Sequence, residues 1–173
     1  EYNTSSSTLF GHANAAGAIA VAAAFYEATP VFGVTPAMVE PFSSAGGVPI
    51  LFDRSGSRFV SPQVRHKPDV AAPDGANTTF FGSVDIEPDG FPNFFGTSAA
   101  APHAAGAAAL LLEADNSLSP NQLIHTLSQT ALDMIDPAFP ELGSGFDFVS
   151  GWGLIQADQA VAVGNDIFYV EIN

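Results

Sequence analysis

The chain holds 173 residues, 47% hydrophobic and 13% charged, and 18 Asp and Glu against 4 Lys and Arg leave a net charge of −14. That length suits one domain with a sizeable core, and 15 Phe make the chain too aromatic for a disordered acidic tail. Four basic side chains in all exclude a phosphate-binding surface, so no nucleic acid and no membrane is expected as a partner.

The chain begins at Glu1 rather than Met, with no charged stretch leading into an apolar one, so a mature or excised chain is expected. Thr4 to Thr8 is a polar lead-in and Gly11 to Gly17 reads as a loop. Ala18-Ile19-Ala20-Val21-Ala22-Ala23 is a short, continuously apolar run that suits a strand covered on both faces. Residues 28 to 62, rich in Pro, Gly and Ser, read as loops and hairpin strands around pieces such as Val48 to Phe52. Lys67 to Pro73 is a brief strand bracketed by prolines, and residues 74 to 97 form a long Gly/Asp/Phe-rich loop. Ser98 to Ala114 predicts a buried helix with small side chains packed closely on its neighbours. Ser119-Pro120-Asn121-Gln122 carries a capping-box pattern, with Leu123, Leu127 and Ala131 at helical spacing behind it. Gly151-Trp152-Gly153 is a turn, Leu154 to Val163 a last helix, and Ile167 to Ile172 alternates like an edge strand. The longest apolar runs, Ile19 to Phe25 and Ala104 to Leu112, fall well short of the roughly 20 residues that span a bilayer.

Two places carry candidate chemistry. Ser98 lies in Phe95-Gly96-Thr97-Ser98-Ala99-Ala100-Ala101-Pro102-His103, where a glycine-containing loop meets a helix start. A serine there is exposed, and the unpaired N–H groups and dipole of the helix end suit a tetrahedral oxyanion. The plainer alternative is an ordinary serine N-cap. In the long loop, Asp85, Glu87 and Asp89 occupy positions 1, 3 and 5 of a calcium-loop pattern, with Gly90 at 6. The Phe91 carbonyl and Asn93 would supply positions 7 and 9, but Gly96 stands where a bidentate Glu belongs. Ca²⁺ is therefore the candidate ion and Asp85, Glu87, Asp89 and Asn93 its candidate ligands; the alternative is a solvated acidic turn. The absence of Cys removes disulfides and thiolate metal sites, and nothing has the spacing of a zinc motif.

Gly96-Thr97-Ser98-x-x-x-Pro102-His103-x-x-Gly106 resembles the serine-nucleophile motif of the subtilisin-like serine proteases, or subtilases. Four further segments agree in order: Gly11-His12-x-Asn14-Ala15 with the apolar run after it, Phe42-Ser43-Ser44-x-Gly46, Lys67-Pro68-Asp69-Val70-Ala71-Ala72-Pro73, and Gly151-Trp152-Gly153-Leu154-Ile155-x-Ala157. The likeness covers roughly residues 11 to 162. It implies an α/β fold, three-layer with a mostly parallel sheet, and a Ser98 nucleophile within an Asp/His/Ser triad.

Neither a catalytic Asp motif nor a His-Gly-Thr motif precedes Ser98, and His12 and His66 sit in the wrong contexts. Asn3 follows Tyr2 rather than the Ala-Gly expected before an oxyanion Asn, so that role is not carried over to it. Residues 1 to 173 thus read as the C-terminal portion of a subtilase catalytic domain whose N-terminal half is missing. The implied activity is hydrolysis of peptide or protein substrates through an acyl-enzyme in the intact parent, with the fragment itself inactive. His103, about 140° round the helix from Ser98, is expected to be a buried structural residue and His125 a partly exposed one.

Two alternatives belong to other classes. An esterase would need an acid and then a His after Ser98, and the space between Ser98 and His125 is too cramped for that order. A non-catalytic calcium-binding or interaction module with a protease-like shell is the other. The resemblance further implies a secreted or extracytoplasmic protein. A strand edge and apolar faces left open by a missing half would favour a homodimer.

Overall fold

The computed structural model describes residues 7–80, 82–136, 140 and 142–170. In chain order its elements are β1 (Val21–Phe25), β2 (Ile50–Phe52), β3 (Arg58–Gln63), β4 (Val70–Asp74), β5 (Ala76–Asn77), β6 (Asn93–Phe94), α1 (Thr97–Ala114), α2 (Pro120–Gln129) and α3 (Ala157–Val170). Short 3-10 turns occupy Gly11–Asn14 and Pro30–Phe32.

β1 and β4 pair in parallel, from Val21 opposite Val70 to Phe25 opposite Asp74. Both strands are apolar at every central position because both faces are covered. Ala23, Val70 and Ala72 pack with Ala100, Ala104, Ala107 and Leu111 of α1, Leu123 and Leu127 of α2, and Ala160 of α3. On the opposite face Ala22, Ala24 and Ala71 meet Ala37, Met134 and Leu154, which come from irregular segments. The layers are therefore helices, sheet and loops. Isolated bridges widen the sheet: Val39 lies antiparallel to Ala24, Leu154 parallel to Ala71, and Leu132 antiparallel to Leu154.

The starts of β1 and β4 are tied by charge. Lys67 is buried; its Nζ donates to Asp69 Oδ2 at 2.6 Å and to the Ala18 carbonyl, while the same carboxylate oxygen accepts the Ala20 N–H at 2.7 Å. The Gly151 turn closes over this junction. Gly151 has φ +69, and a Cβ on it would lie 2.5 Å from the Asp69 carbonyl oxygen, so only glycine lets the turn approach β4. Trp152 N–H donates to the Asp69 carbonyl at 2.9 Å.

Four expectations need correction. α1 is not buried throughout: Ala99, Ala100, Ala104, Ala107 and Leu111 are buried, whereas Leu110 is 51% and Leu112 38% exposed, because one stripe meets the sheet. The long loop is pinched at its base by β5 and β6, with Ala76 opposite Phe94 and Asn77 opposite Asn93. Gly11 to Asn14 forms a 3-10 turn rather than an open loop. The last helix begins at Ala157 and runs to Val170, so the expected edge strand from Ile167 is helical that far, and Glu171 and Ile172 lie outside the described residues. The capping box stands as read: Gln122 N–H donates to the Ser119 side chain, and the Gln122 side chain accepts the Ser119 N–H at 2.9 Å. No helix among the described residues is long and apolar enough to cross a membrane.

Candidate active site

Parallel strands that end together leave a crevice at their C-terminal edge, the usual ligand site of open α/β sheets. β4 ends there at Asp74, opposite Phe25. The Asp74 Oδ2 accepts the Gly96 N–H at 2.6 Å, and Gly96 is the N-cap of α1. The loop that delivers Ser98 is thus fastened to the end of β4.

Gly96 has φ 111 and ψ 162, a conformation open only to glycine. It turns the chain from the extended Phe94 into the helix, which leaves Ser98 exposed as the second helical residue. Gly96, not Ser98, holds the N-cap, and no side chain caps this end, so the ordinary N-cap alternative does not describe Ser98. The Ser98 N–H lies in the first turn, among donors that a helix cannot satisfy internally. Pro102, four residues on, has no N–H to give the Ser98 carbonyl. The site therefore offers an exposed serine and a backbone donor side by side at the positive end of a helix 18 residues long.

Asp74 is wholly buried, and its Oδ1 has no hydrogen-bond partner among the described residues. Burial pushes its carboxyl above the ordinary 3.8, while the Gly96 N–H and nearby His103 pull the other way. Glu40 is also raised, first by its own burial and then by the negative charge of Asp74. Sequence reasoning stopped at Pro73 and missed Asp74. The available signal was an acid directly after a fully apolar strand, at the sheet edge where the serine must sit.

Among the described residues no histidine is hydrogen-bonded to Ser98. His103 is exposed, not buried as expected, since the buried stripe passes through Ala100, Ala104 and Ala107; its Nδ1 lies 2.8 Å from the Ala99 carbonyl. His66 stacks on Phe146 with centroids 4.6 Å apart. His12 lies in the first 3-10 turn, and His125 is exposed on α2. Asn3 lies outside the described residues.

The acidic loop is held by protein donors. Asp85 accepts the Gly90 N–H at 2.9 Å and the Asp89 N–H at 3.2 Å. Asp89 accepts the Phe91 N–H at 2.9 Å and the Asn77 amide at 2.6 Å. Glu87 accepts the Tyr26 hydroxyl and, at 2.9 Å, the Asn93 amide. Asn93 is buried, and it also donates to the Gly75 carbonyl and accepts the Ile86 N–H, both at 2.8 Å. Asn93 thus braces the base of the loop. Among the described residues, no group of three or more His, Asp or Glu side chains is placed to share a metal ion.

Phe42-Ser43-Ser44 has a structural duty that sequence alone did not assign. The Ser43 hydroxyl accepts the Ala23 N–H at 2.9 Å, on the β1 edge away from β4.

Comparison with known proteins agrees with this geometry. The model of the Subtilase family matches residues 3–153. Bacillopeptidase F of Bacillus subtilis (strain 168) is 36% identical over 107 residues, which is 61% of this chain and 7% of that protein. The crystal structure of fervidolysin from Fervidobacterium pennivorans, a keratinolytic enzyme related to subtilisin, superposes with a TM-score of 0.60 at 27% identity. That match covers 87% of this chain and 20% of fervidolysin. The Clostridium perfringens CspB protease shares the fold, with a TM-score of 0.56 at 24% identity over 88% of this chain and 28% of its own. The chain thus spans a minor part of each of these three relatives.

Proposed function

The chain belongs to the subtilase family, and on that basis we propose that it carries the nucleophile of a serine endopeptidase. The observation that carries the proposal is Ser98 itself, exposed in the first turn of α1 behind the glycine-only turn at Gly96. In this reading the Ser98 hydroxyl attacks a peptide carbonyl. A His supplied from a segment N-terminal to this chain takes the hydroxyl proton and returns it to the leaving amine, and an upstream Asp orients that His. The Ser98 N–H, at the positive helix end, helps hold the oxyanion of the tetrahedral intermediate. Water then releases the acyl group by the reverse sequence.

Leu110 and Leu112, 51% and 38% exposed, flank the buried Leu111 on the two sides of α1, apolar surface that an upstream segment of the domain would help cover. Membership of the subtilase family supports a protease that works outside the cytoplasm. The test is hydrolysis of an internally quenched peptide by the protein expressed from its intact gene. Activity lost in Ser98→Ala, and absent from residues 1–173 alone, is the expected result. Activity that survives Ser98→Ala, or equal activity from the fragment, rules the reading out.

A further inference from the structure

We propose that Asp74 is a positioning residue for the nucleophile: its buried carboxylate fixes the Gly96 turn and thereby the place of Ser98. The inference rests on the reading of Ser98 as nucleophile. It deepens that reading by naming what holds the serine still.

Three observations carry it. The Asp74 Oδ2 to Gly96 N–H bond is 2.6 Å long, in the range of short charge-assisted bonds. It spans 22 residues of sequence, joining the last residue of β4 to the N-cap of α1. Gly96 occupies a φ of 111, where glycine has the most freedom to lose and no side chain of its own to anchor it. A turn of that kind needs an outside restraint, and no side-chain cap provides one.

The second carboxylate oxygen gives the sharper clue. Oδ1 is buried with no hydrogen-bond partner among the described residues, although a buried carboxylate normally collects several donors. Among the described residues the one side-chain hydrogen bond of this carboxylate goes to the nucleophile's turn, which points to positioning of that turn. Burial disfavours the charge on Asp74, with the Gly96 N–H and then His103 partly offsetting it.

The experiment uses the protein expressed from its intact gene, with Asp74→Ala and Asp74→Asn compared on a quenched peptide and on a fluorophosphonate probe. In Asp74→Ala the turn loses its restraint while the substrate-binding surface remains. We expect kcat and the rate of Ser98 labelling to fall by on the order of tenfold to a hundredfold, as a misplaced reacting group costs, with KM unchanged. Asp74→Asn keeps an acceptor for the Gly96 N–H and is expected to stay within about threefold of wild type. Equal kcat and labelling in wild type and Asp74→Ala, measured well below both melting temperatures, overturns the proposal and leaves the nucleophile reading standing. A wild-type protein that neither cleaves nor labels at Ser98 overturns both. Should Asp74→Ala fail to fold, hydrogen exchange at the Gly96 amide of the wild type decides. Strong protection supports the proposal, and exchange at the rate of an exposed loop amide overturns it.

Discussion

Replacing Lys67 by Met should be among the most damaging single changes in the protein, although Lys67 lies at the opposite end of the strands from the proposed chemistry. The Lys67 and Asp69 side chains are 6% and 15% exposed, with 2.6 Å between Nζ and Oδ2. The same Nζ reaches the Ala18 carbonyl, and Asp69 also accepts the Ala20 N–H at 2.7 Å. Met keeps most of the apolar stem but strands a buried carboxylate whose remaining bond is to a neutral amide. Breaking a buried pair from one side typically costs about 3–5 kcal/mol. With a urea m-value of about 2 kcal/mol/M, the midpoint should fall by roughly 1.5–2.5 M. Asp69→Asn strands the ammonium instead and should cost a similar amount. The double variant Lys67→Met/Asp69→Asn should cost clearly less than the sum, since the second change removes the charge the first left unpaired. A midpoint shift under about 0.5 M for Lys67→Met, or strict additivity in the cycle, would refute the claim that this pair fastens β1 to β4.

Gly151→Ala should destabilise by about 2–5 kcal/mol in urea melts, because φ +69 strains a Cβ that would also lie 2.5 Å from the Asp69 carbonyl. The Asp74 carboxyl, held above its ordinary 3.8, binds its proton more tightly in the folded state. Below the ordinary value both states are protonated; as pH rises through the raised value, the folded state loses stability. Asp74→Asn should therefore gain stability relative to wild type as the pH of thermal melts goes from about 4 to 8, and parallel curves would deny the shift. If Asp85, Glu87 and Asp89 bind Ca²⁺, the melting temperature should rise above its value in EDTA and saturate with added Ca²⁺ by mass action; a curve unchanged between EDTA and millimolar Ca²⁺ would leave these carboxylates to their protein hydrogen bonds alone.

What was legible in the sequence followed from local chemistry. The apolar run 18 to 23 reads as a strand covered on both faces, and β1 occupies Val21–Phe25 in a two-sided core. The Ser119 capping box names its own hydrogen bonds, and the structure makes them. The exposed place of Ser98 at a helix start was legible because Gly96 marks the loop before the helix, whereas its candidacy as nucleophile came from the resemblance of the Gly96 to Gly106 string. What stayed hidden depends on distant partners. Asp74 gains its importance from Gly96, 22 residues away, and Lys67 part of its own from the Ala18 carbonyl, 49 residues back. His103 was misread as buried because composition reveals that a helix is apolar, but not which of its stripes meets the sheet. The Asp85, Glu87 and Asp89 spacing suits a cation on paper. It does not reveal that Asn77 donates to Asp89, or that Tyr26 and Asn93 donate to Glu87. The run from Ile167 alternates over too few residues to exclude the helix that continues through it to Val170.

The most direct test of the account is to expose the protein expressed from its intact gene to a biotinylated fluorophosphonate and map the adduct by mass spectrometry. A single adduct on Ser98, abolished by prior heat denaturation and by Ser98→Ala, is the expected result. An active protein whose adduct maps to any other residue, or no adduct on a folded protein, would contradict it.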